Sequence, residues 1–208
     1  MKKKYFKTKI FLKKNITKKD FNQIFELIKK ENSYSILSKL NKELIYEYLK
    51  IVIKSKKLFL LIIETNQKIL GYILFARNEA DLLNEFKKMK IKILIFLILN
   101  IKIIDLMNIF MVITKIDKLF SNYLESKDTL NLNLLAIKSD YQSMGLGKIL
   151  LNKSLKKLST EGIKFKYITC EAPTIRSLKF YKKNNFRLIG KKIRFFNNLF
   201  LLKRKYEF

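Results

Sequence analysis

The residues with the most chemical content form one short run, Gln142-Ser143-Met144-Gly145-Leu146-Gly147. An apolar strand, Leu132-Asn133-Leu134-Leu135-Ala136-Ile137, leads into it through Lys138-Ser139-Asp140-Tyr141. From Gly147 a helix follows, with Ile149, Leu150, Leu155 and Leu158 expected as its buried stripe and Gly162 as its stop. Strand, glycine-bearing loop and helix together aim successive backbone N–H groups at one point, at the positive end of a helix dipole. The glycines let the main chain turn tightly and approach a ligand with no Cβ in the way. A pyrophosphate suits such a cradle. An ordinary tight turn suits it too, and for a lone Gly-x-Gly that is the stronger reading. The run has neither the Walker spacing nor the three-glycine dinucleotide fingerprint.

Composition narrows the chemistry. The chain has no His and one cysteine, Cys170, which excludes a Cys/His metal site and an intramolecular disulfide. Its 208 residues fit one domain spanning 1–208, and the 49% apolar content rules out a disordered chain. The net charge of +28 invites a nucleic-acid reading. Yet the lysines are scattered through every segment and no aromatic-plus-basic motif stands out, so Lys reads as the default surface residue and nucleic acid is not expected as a partner. Such a surface still attracts the phosphates of a nucleotide cofactor. The basic N-terminus is not followed by the apolar run of a secretory signal, so a cytoplasmic location is expected. Ile91 to Ile113 is strongly apolar, but Lys92, Asn100, Lys102, Asp105 and Asn108 interrupt it, which predicts an amphipathic helix and not a span.

The elements that must position the loop are readable in outline. Thr8 to Leu12 alternates weakly, as a first strand. Thr17 and Asp20 resemble a capping box opening a helix to about Lys30, with Phe21, Ile24, Phe25 and Ile28 at helical spacing. A second helix near Leu40 to Lys54 carries Leu44, Ile45, Tyr48, Leu49 and Val52 on one face. Two β-rich runs, Leu58 to Glu64 and Ile69 to Phe75, flank the hairpin signature Thr65-Asn66-Gln67-Lys68. Asp81 to Lys127 shows helical periodicity in pieces and reads as an insertion of helices. Strands follow at Leu130 to Ile137 and Ile163 to Cys170, and a final hairpin is expected from Arg187 to Phe195 and Leu199 to Tyr206, turning at Asn197-Asn198.

After Glu171-Ala172-Pro173 comes Thr174-Ile175-Arg176-Ser177-Leu178-Lys179-Phe180-Tyr181-Lys182-Lys183-Asn184-Asn185-Phe186. Here the sequence resembles the GCN5-related N-acetyltransferase (GNAT) superfamily. That family's coenzyme loop reads Gln/Arg-x-x-Gly-x-Gly/Ala, which Gln142 to Gly147 matches. Its next motif reads roughly Asn-x-x-Ala-x-x-Phe-Tyr-x-x-x-Gly-Phe, which Thr174 to Phe186 follows with substitutions. Asn66 to Tyr72 looks like its second hairpin. Three departures are conservative in physical terms. Thr174 can cap a helix as Asn does, Ser177 is small like Ala, and Asn185 is the best non-glycine residue for positive φ.

The resemblance implies an α/β (α+β) fold: a mixed, mostly antiparallel sheet with splayed parallel strands four and five, flanked by helices, with a helical insertion at 81–127. It implies acetyl-CoA as acyl donor, no metal, and direct transfer to an amine. By this likeness the main chain at Leu135, Ala136 and Ile137 holds the pantetheine arm, and the Ile137 N–H is a candidate oxyanion donor. Backbone N–H groups of Gln142, Ser143, Met144, Gly145, Leu146, Gly147 and Lys148 hold the pyrophosphate, and Thr174, Ser177 and Tyr181 complete the coenzyme contacts. Tyr181 matches the family tyrosine that protonates the departing thiolate; an aromatic packed beneath the coenzyme is the other reading of it. Without His, a carboxylate or ordered water must take the amine proton. Glu171 and Glu64 are the candidates, though for each taken alone a solvated carboxylate beside Lys is the stronger reading. An acyl-cysteine at Cys170 is disfavoured, because a lone strand cysteine is far more often core.

The acceptor is expected to be a small molecule, first an amino sugar or nucleotide-linked amino sugar, because similar insertions occur in family members linked to amino-sugar and surface-polysaccharide synthesis. Protein or peptide acetylation is the alternative, and a non-catalytic basic module binding nucleic acid or anionic membrane comes third. The insertion is also open to roles as a homodimer contact or, through 91–113, as a peripheral membrane contact.

Overall fold

A computed structural model describes residues 8–77, 81, 89, 92, 95–96, 128–194 and 197–206. The helical insertion expected at 81–127, with the amphipathic stretch 91–113 inside it, lies outside the described residues apart from five scattered positions. Among the described residues no helix is long and apolar enough to cross a membrane. Strands β1 (Lys9–Leu12), β2 (Leu58–Thr65), β3 (Lys68–Ala76), β4 (Thr129–Ile137), β5 (Tyr167–Ala172), β6 (Arg187–Arg194) and β7 (Asn197–Lys205) form one sheet in the order β1-β2-β3-β4-β5-β7-β6. Helices α1 (Lys18–Glu31), α2 (Ile36–Lys39), α3 (Lys42–Lys54), α4 (Leu146–Thr160) and α5 (Ile175–Lys183) accompany it. The sheet is mixed, with β4 and β5 parallel and β1–β2, β5–β7 and β6–β7 antiparallel, as the family resemblance implies.

The chain divides into two compact units, Met1–Phe75 with Leu134–Ile163, and Ala76–Asn133 with Lys164–Phe208. In the first unit, α1 starts where the sequence places it. Thr17 Oγ1 accepts from the Asp20 N–H at 3.1 Å, and the Thr17 N–H donates to Asp20 Oδ2 at 3.1 Å, so two orphan donors of the first turn are satisfied reciprocally. Its core face is Phe21, Ile24, Leu27 and Ile28, while Phe25 is only half-buried. The single turn α2 escapes sequence patterning, because its C-terminal carbonyls are satisfied from outside. Lys29 Nζ donates to the Ser38 and Leu40 carbonyls at 2.7 and 2.9 Å. Helix α3 packs on β2, and α4 on β1 and β2. Every residue of β2 from Leu58 to Ile63 is buried, which requires cover on both sheet faces and explains the unbroken apolar run. The β2–β3 turn has Asn66 at φ 44° and Gln67 at φ 60°, the double positive φ of a type I′ hairpin.

The stripe of α4 differs from expectation. Leu146, Leu150, Leu151, Ser154, Leu155 and Leu158 are buried, and Ile149 is 37% exposed. The stripe centres near Ser154, and at 100° per residue Ile149 stands roughly 140° round the helix from it.

The second unit contains the paired half of β4, then β5, α5, β6 and β7. Its final hairpin turns two residues earlier than the Asn-Asn dipeptide suggests. The register runs through Ile193↔Asn198 and Arg194↔Asn197, so Asn197-Asn198 belong to the ladder and the connection is at positions 195–196, outside the described residues. A register shift between Leu188 and Gly190 marks the edge strand β6 with a bulge, a common way of blunting a sheet edge.

One close approach inside the first unit controls the strand that leads to the loop. A Cβ built on Gly71 in β3 would lie 2.4 Å from the Ala136 carbonyl oxygen and 3.2 Å from the Ile137 Cα. Both are backbone atoms and cannot swing aside. Gly71→Ala is therefore expected to destabilise the fold by about 1–3 kcal/mol, the usual range for overpacking. Urea unfolding checks this; an unchanged midpoint would show that β4 has room to shift.

Candidate active site

The parallel ladder runs from Thr129↔Tyr167 to Leu132↔Cys170 and then stops, although β4 continues to Ile137 and β5 to Ala172. The sequence-predicted Leu135, Ala136 and Ile137 thus lie beyond the paired segment. Ala136 and Ile137 are buried and Leu135 is half-buried. Asn133 is the first residue past the ladder, and its Nδ2 is buried without a hydrogen-bond partner among the described residues. Sequence reading treats Asn133 as one more strand residue; a polar side chain in an otherwise apolar run was the signal available.

The loop after β4 is held from several sides. The Lys138 N–H donates to the Leu70 carbonyl at 2.8 Å, fixing the strand end against β3. The Ser139 N–H donates to Glu31 Oε1 at 2.8 Å. A single 3₁₀ turn (Ser139–Tyr141) follows, and the Gln142 N–H closes it on the Ser139 carbonyl at 3.1 Å. The Gln142 side chain turns inward, with Nε2 donating to Glu31 Oε2 and to the Ile137 carbonyl, both at 2.7 Å. Of the residues expected to offer N–H groups to a pyrophosphate, Gln142 therefore commits its own N–H and its amide to the loop itself.

Ser143 and Gly145 take positive φ, 62° and 81°, while Gly147 sits inside the first turn of α4. Only the first glycine thus meets the conformational need that the Gly-x-Gly pattern suggested for both. Ser143, Met144 and Gly145 are exposed, Leu146 anchors the helix start in the core, and Lys148 is exposed. As N-cap, Gly145 brings no side chain, and the first turn of α4 carries no acidic residue. The N–H groups of Leu146, Gly147 and Lys148 have no intrahelical acceptor, because the first such bond closes from Ile149 onto Gly145 at 3.1 Å. A fifteen-residue helix thus presents uncapped donors and the positive end of its dipole where the sequence placed an anion site.

In the second unit, α5 begins as anticipated. Thr174 Oγ1 accepts from the Ser177 N–H at 3.1 Å, and the Thr174 N–H donates to Ser177 Oγ at 3.0 Å. Both predicted coenzyme contacts therefore also build the cap. Tyr181 is buried, its ring 5.2 Å from that of Phe180 and 5.3 Å from that of Phe186. The helix ends in a left-handed residue, Asn185 at φ 66°, with the Phe186 N–H returning to the Tyr181 carbonyl at 3.1 Å. The expected positive φ at Asn185 is thus observed.

Cys170 is buried, and desolvation, with the charge of neighbouring Glu171 added, holds its thiol well above the ordinary range. It stays a thiol at neutral pH and is a poor nucleophile. Glu171, half-buried on β5 and paired across to Leu201, is one residue past the ladder's end. Glu64 is on β2, paired to Lys9, with β3 between its strand and β4. The two carboxylates belong to different units. No cluster able to hold a metal occurs among the described residues.

Comparison with known proteins agrees with this geometry. The model of the Acetyltransferase (GNAT) family matches residues 21–186. The chain belongs to the GNAT acetyltransferase family. A search of curated proteins finds no sequence match. Among solved structures, an acetyltransferase from Thermus thermophilus is similar with a TM-score of 0.60 at 13% identity, covering 95% of this chain and 97% of that one. PaiA N-acetyltransferase from Thermoplasma acidophilum, solved in complex with coenzyme A, gives 0.54 at 14% identity over 95% and 99%. A GNAT family acetyltransferase from Elizabethkingia anophelis with acetyl-CoA bound gives 0.53 at 14% over 96% and 98%. At such identities the likeness is one of fold.

The GNAT chain is an acetyl-CoA-dependent enzyme by family, and its own residues fit that donor. The uncapped α4 N-terminus suits a pyrophosphate, and a Cβ on Gly145 would meet nothing within 4 Å, so the loop's outer side is open. Gly145→Val is expected to weaken acetyl-CoA binding at least about tenfold, since positive φ costs an L-residue roughly 1–2 kcal/mol and a β-branched one more. Gly145→Asn should retain most of the affinity, because Asn visits this conformation readily. Titration calorimetry compares the two; equal losses would show that side-chain bulk, not backbone conformation, matters there.

Proposed function

We propose that this chain transfers an acetyl group from acetyl-CoA directly to a primary amine of a small-molecule acceptor, first an amino sugar or nucleotide-linked amino sugar. The observation that carries the reading is the uncapped start of α4, reached through the loop 138–145 from a strand that outruns its parallel ladder. The chain acts as one catalytic domain over 1–208 in the cytoplasm. On sequence grounds the 81–127 insertion selects the acceptor, with homodimer or peripheral membrane contact as its other roles.

Acetyl-CoA supplies an acetyl thioester whose carbonyl carbon is open to an amine. The main chain of Leu135, Ala136 and Ile137 binds the pantetheine arm along the free length of β4. The Ile137 N–H donates to the carbonyl oxygen as negative charge develops there. N–H groups from Ser143 to Lys148 bind the pyrophosphate, and the loop shape that aims them comes from Gln142. Thr174 and Ser177 orient the start of α5 toward the coenzyme. A carboxylate takes the proton that the amine must lose as the C–N bond forms and the C–S bond breaks. Its position one residue past the ladder supports Glu171 for this role. Glu64 is two strands from β4, roughly 9–10 Å at ordinary strand spacing, and would need a water between. Tyr181 gives the leaving thiolate its proton.

Protein or peptide N-acetylation is the second reading. It takes support from the fold likeness to the ribosomal-protein-S18-alanine N-acetyltransferase from Escherichia coli, with a TM-score of 0.56 at 10% identity over 97% of this chain and 95% of that one.

Thermal melting with acetyl-CoA, followed by an amine screen, tests the proposal. At about 100 times its dissociation constant a ligand specific for the folded state adds roughly 2.7 kcal/mol, a clear rise in melting temperature. With an accepted amine in hand, Tyr181→Phe should lower kcat about a hundredfold, as loss of a general acid does. An unchanged kcat would assign Tyr181 to packing, and a protein that ignores every acyl-CoA would end the transferase reading.

A further inference from the structure

We propose that Glu31 is a positioning residue for the coenzyme loop, acting through Gln142 and the Ser139 N–H, and that acetyl-CoA affinity depends on it. The inference rests on the reading of that loop as the pyrophosphate site. Glu31 is the last residue of α1, and its two carboxylate oxygens are divided between two points of the loop. Oε1 accepts from the Ser139 N–H at 2.8 Å and Oε2 from Gln142 Nε2 at 2.7 Å. The same Nε2 donates to the Ile137 carbonyl at 2.7 Å. Because both partners of this amide are acceptors, the nitrogen must face them and the side chain has one usable orientation. One carboxylate thus fixes the end of β4, the 3₁₀ turn and the residue that opens the positive-φ run to Gly145.

The placement of Glu31 runs against local preference, which gives an independent reason to see a role in it. An acid in the last turn of a helix meets the negative end of the dipole, and α1 otherwise closes with Lys29 and Lys30 as the dipole favours. A residue that breaks a local rule is expected where a site needs it. Charge-assisted hydrogen bonds are also roughly twice as strong as neutral ones, so replacing the carboxylate by the nearly isosteric amide separates charge from shape.

Binding of acetyl-CoA is measured by calorimetry on the full chain for wild type, Glu31→Gln, Gln142→Leu, the double variant and Gln142→Arg, with ligand-free melting alongside. Expected are losses of about tenfold for each of Glu31→Gln and Gln142→Leu, the lower end for a lost hydrogen bond to a charged group. The double variant should be no weaker than either single one, because both remove the same clamp. Gln142→Arg should bind nearly as wild type, since a guanidinium can donate to both the carboxylate and the Ile137 carbonyl. Ligand-free melting should change little in Glu31→Gln. Wild-type affinity in Glu31→Gln, additive losses in the double variant, or an affinity loss that Gln142→Arg shares would each overturn the inference. A wild-type chain that does not bind acetyl-CoA would overturn the coenzyme reading and this inference with it, an outcome recognisable before any variant is made.

Discussion

Backbone hydrogen bonding is the constraint from which the rest of the structure follows. Each strand residue must place one donor and one acceptor, and a parallel ladder does so only while both strands keep register. Here the β4–β5 ladder stops at Leu132↔Cys170, with five residues of β4, Asn133 to Ile137, still to come. On one side β3 takes up the slack, as the Lys138–Leu70 bond shows. That side is crowded enough for Gly71 to be required there. On the β5 side the parallel ladder does not continue past Leu132↔Cys170. The loop then continues the same logic, since the start of α4 leaves donors that no side chain caps.

Donors left uncapped at the start of α4 do not hold the loop's own shape, so the shape must come from elsewhere. Ser143 and Gly145 both take positive φ. They are fixed by what precedes and follows them: Leu146 buried in the core on one side, and the Gln142 side chain locked between Glu31 and Ile137 on the other. At the same end of α1 the same economy appears. Lys29 caps α2 from the side, and beyond Glu31 the buried Asn32 joins Tyr72 of β3 to Tyr34. Burial pushes the Tyr72 phenol up, with the nearby Tyr48 and Tyr34 adding to it, so the node remains neutral and cohesive.

What the sequence made legible is what short-range stereochemistry dictates. The capping box at Thr17 and Asp20, the cap at Thr174, the hairpin turn at Asn66-Gln67 and the left-handed Asn185 all involve partners within a few positions. Those features, with the hydrophobic patterning, outline the order of elements, while the family resemblance rests on the motifs Gln142 to Gly147 and Thr174 to Phe186. Features set by distant partners were not legible. Glu31 meets Ser139 and Gln142 across 108 and 111 positions, and Gly71 is dictated by the backbone of Ala136. The misplaced final turn has the same cause. Asn197-Asn198 has turn chemistry, but the register of β7 on β5 and β6 outweighs it. Ile149 failed for a simpler reason: apolarity was read as burial, although its angular position sets it off the stripe.

The absence of His gives the proton chemistry its remaining shape. An enzyme in this family must take a proton from an amine and give one to a thiolate, and with no His a carboxylate or ordered water has to do the first. Glu171 follows Cys170, whose thiol its charge helps hold protonated. A carboxylate that raises a neighbouring thiol acts as a local negative potential, and the same potential favours an approaching ammonium. The amine attacks only as the neutral base, so its proton must leave before the C–N bond forms, and a negative potential that holds the proton works against that loss.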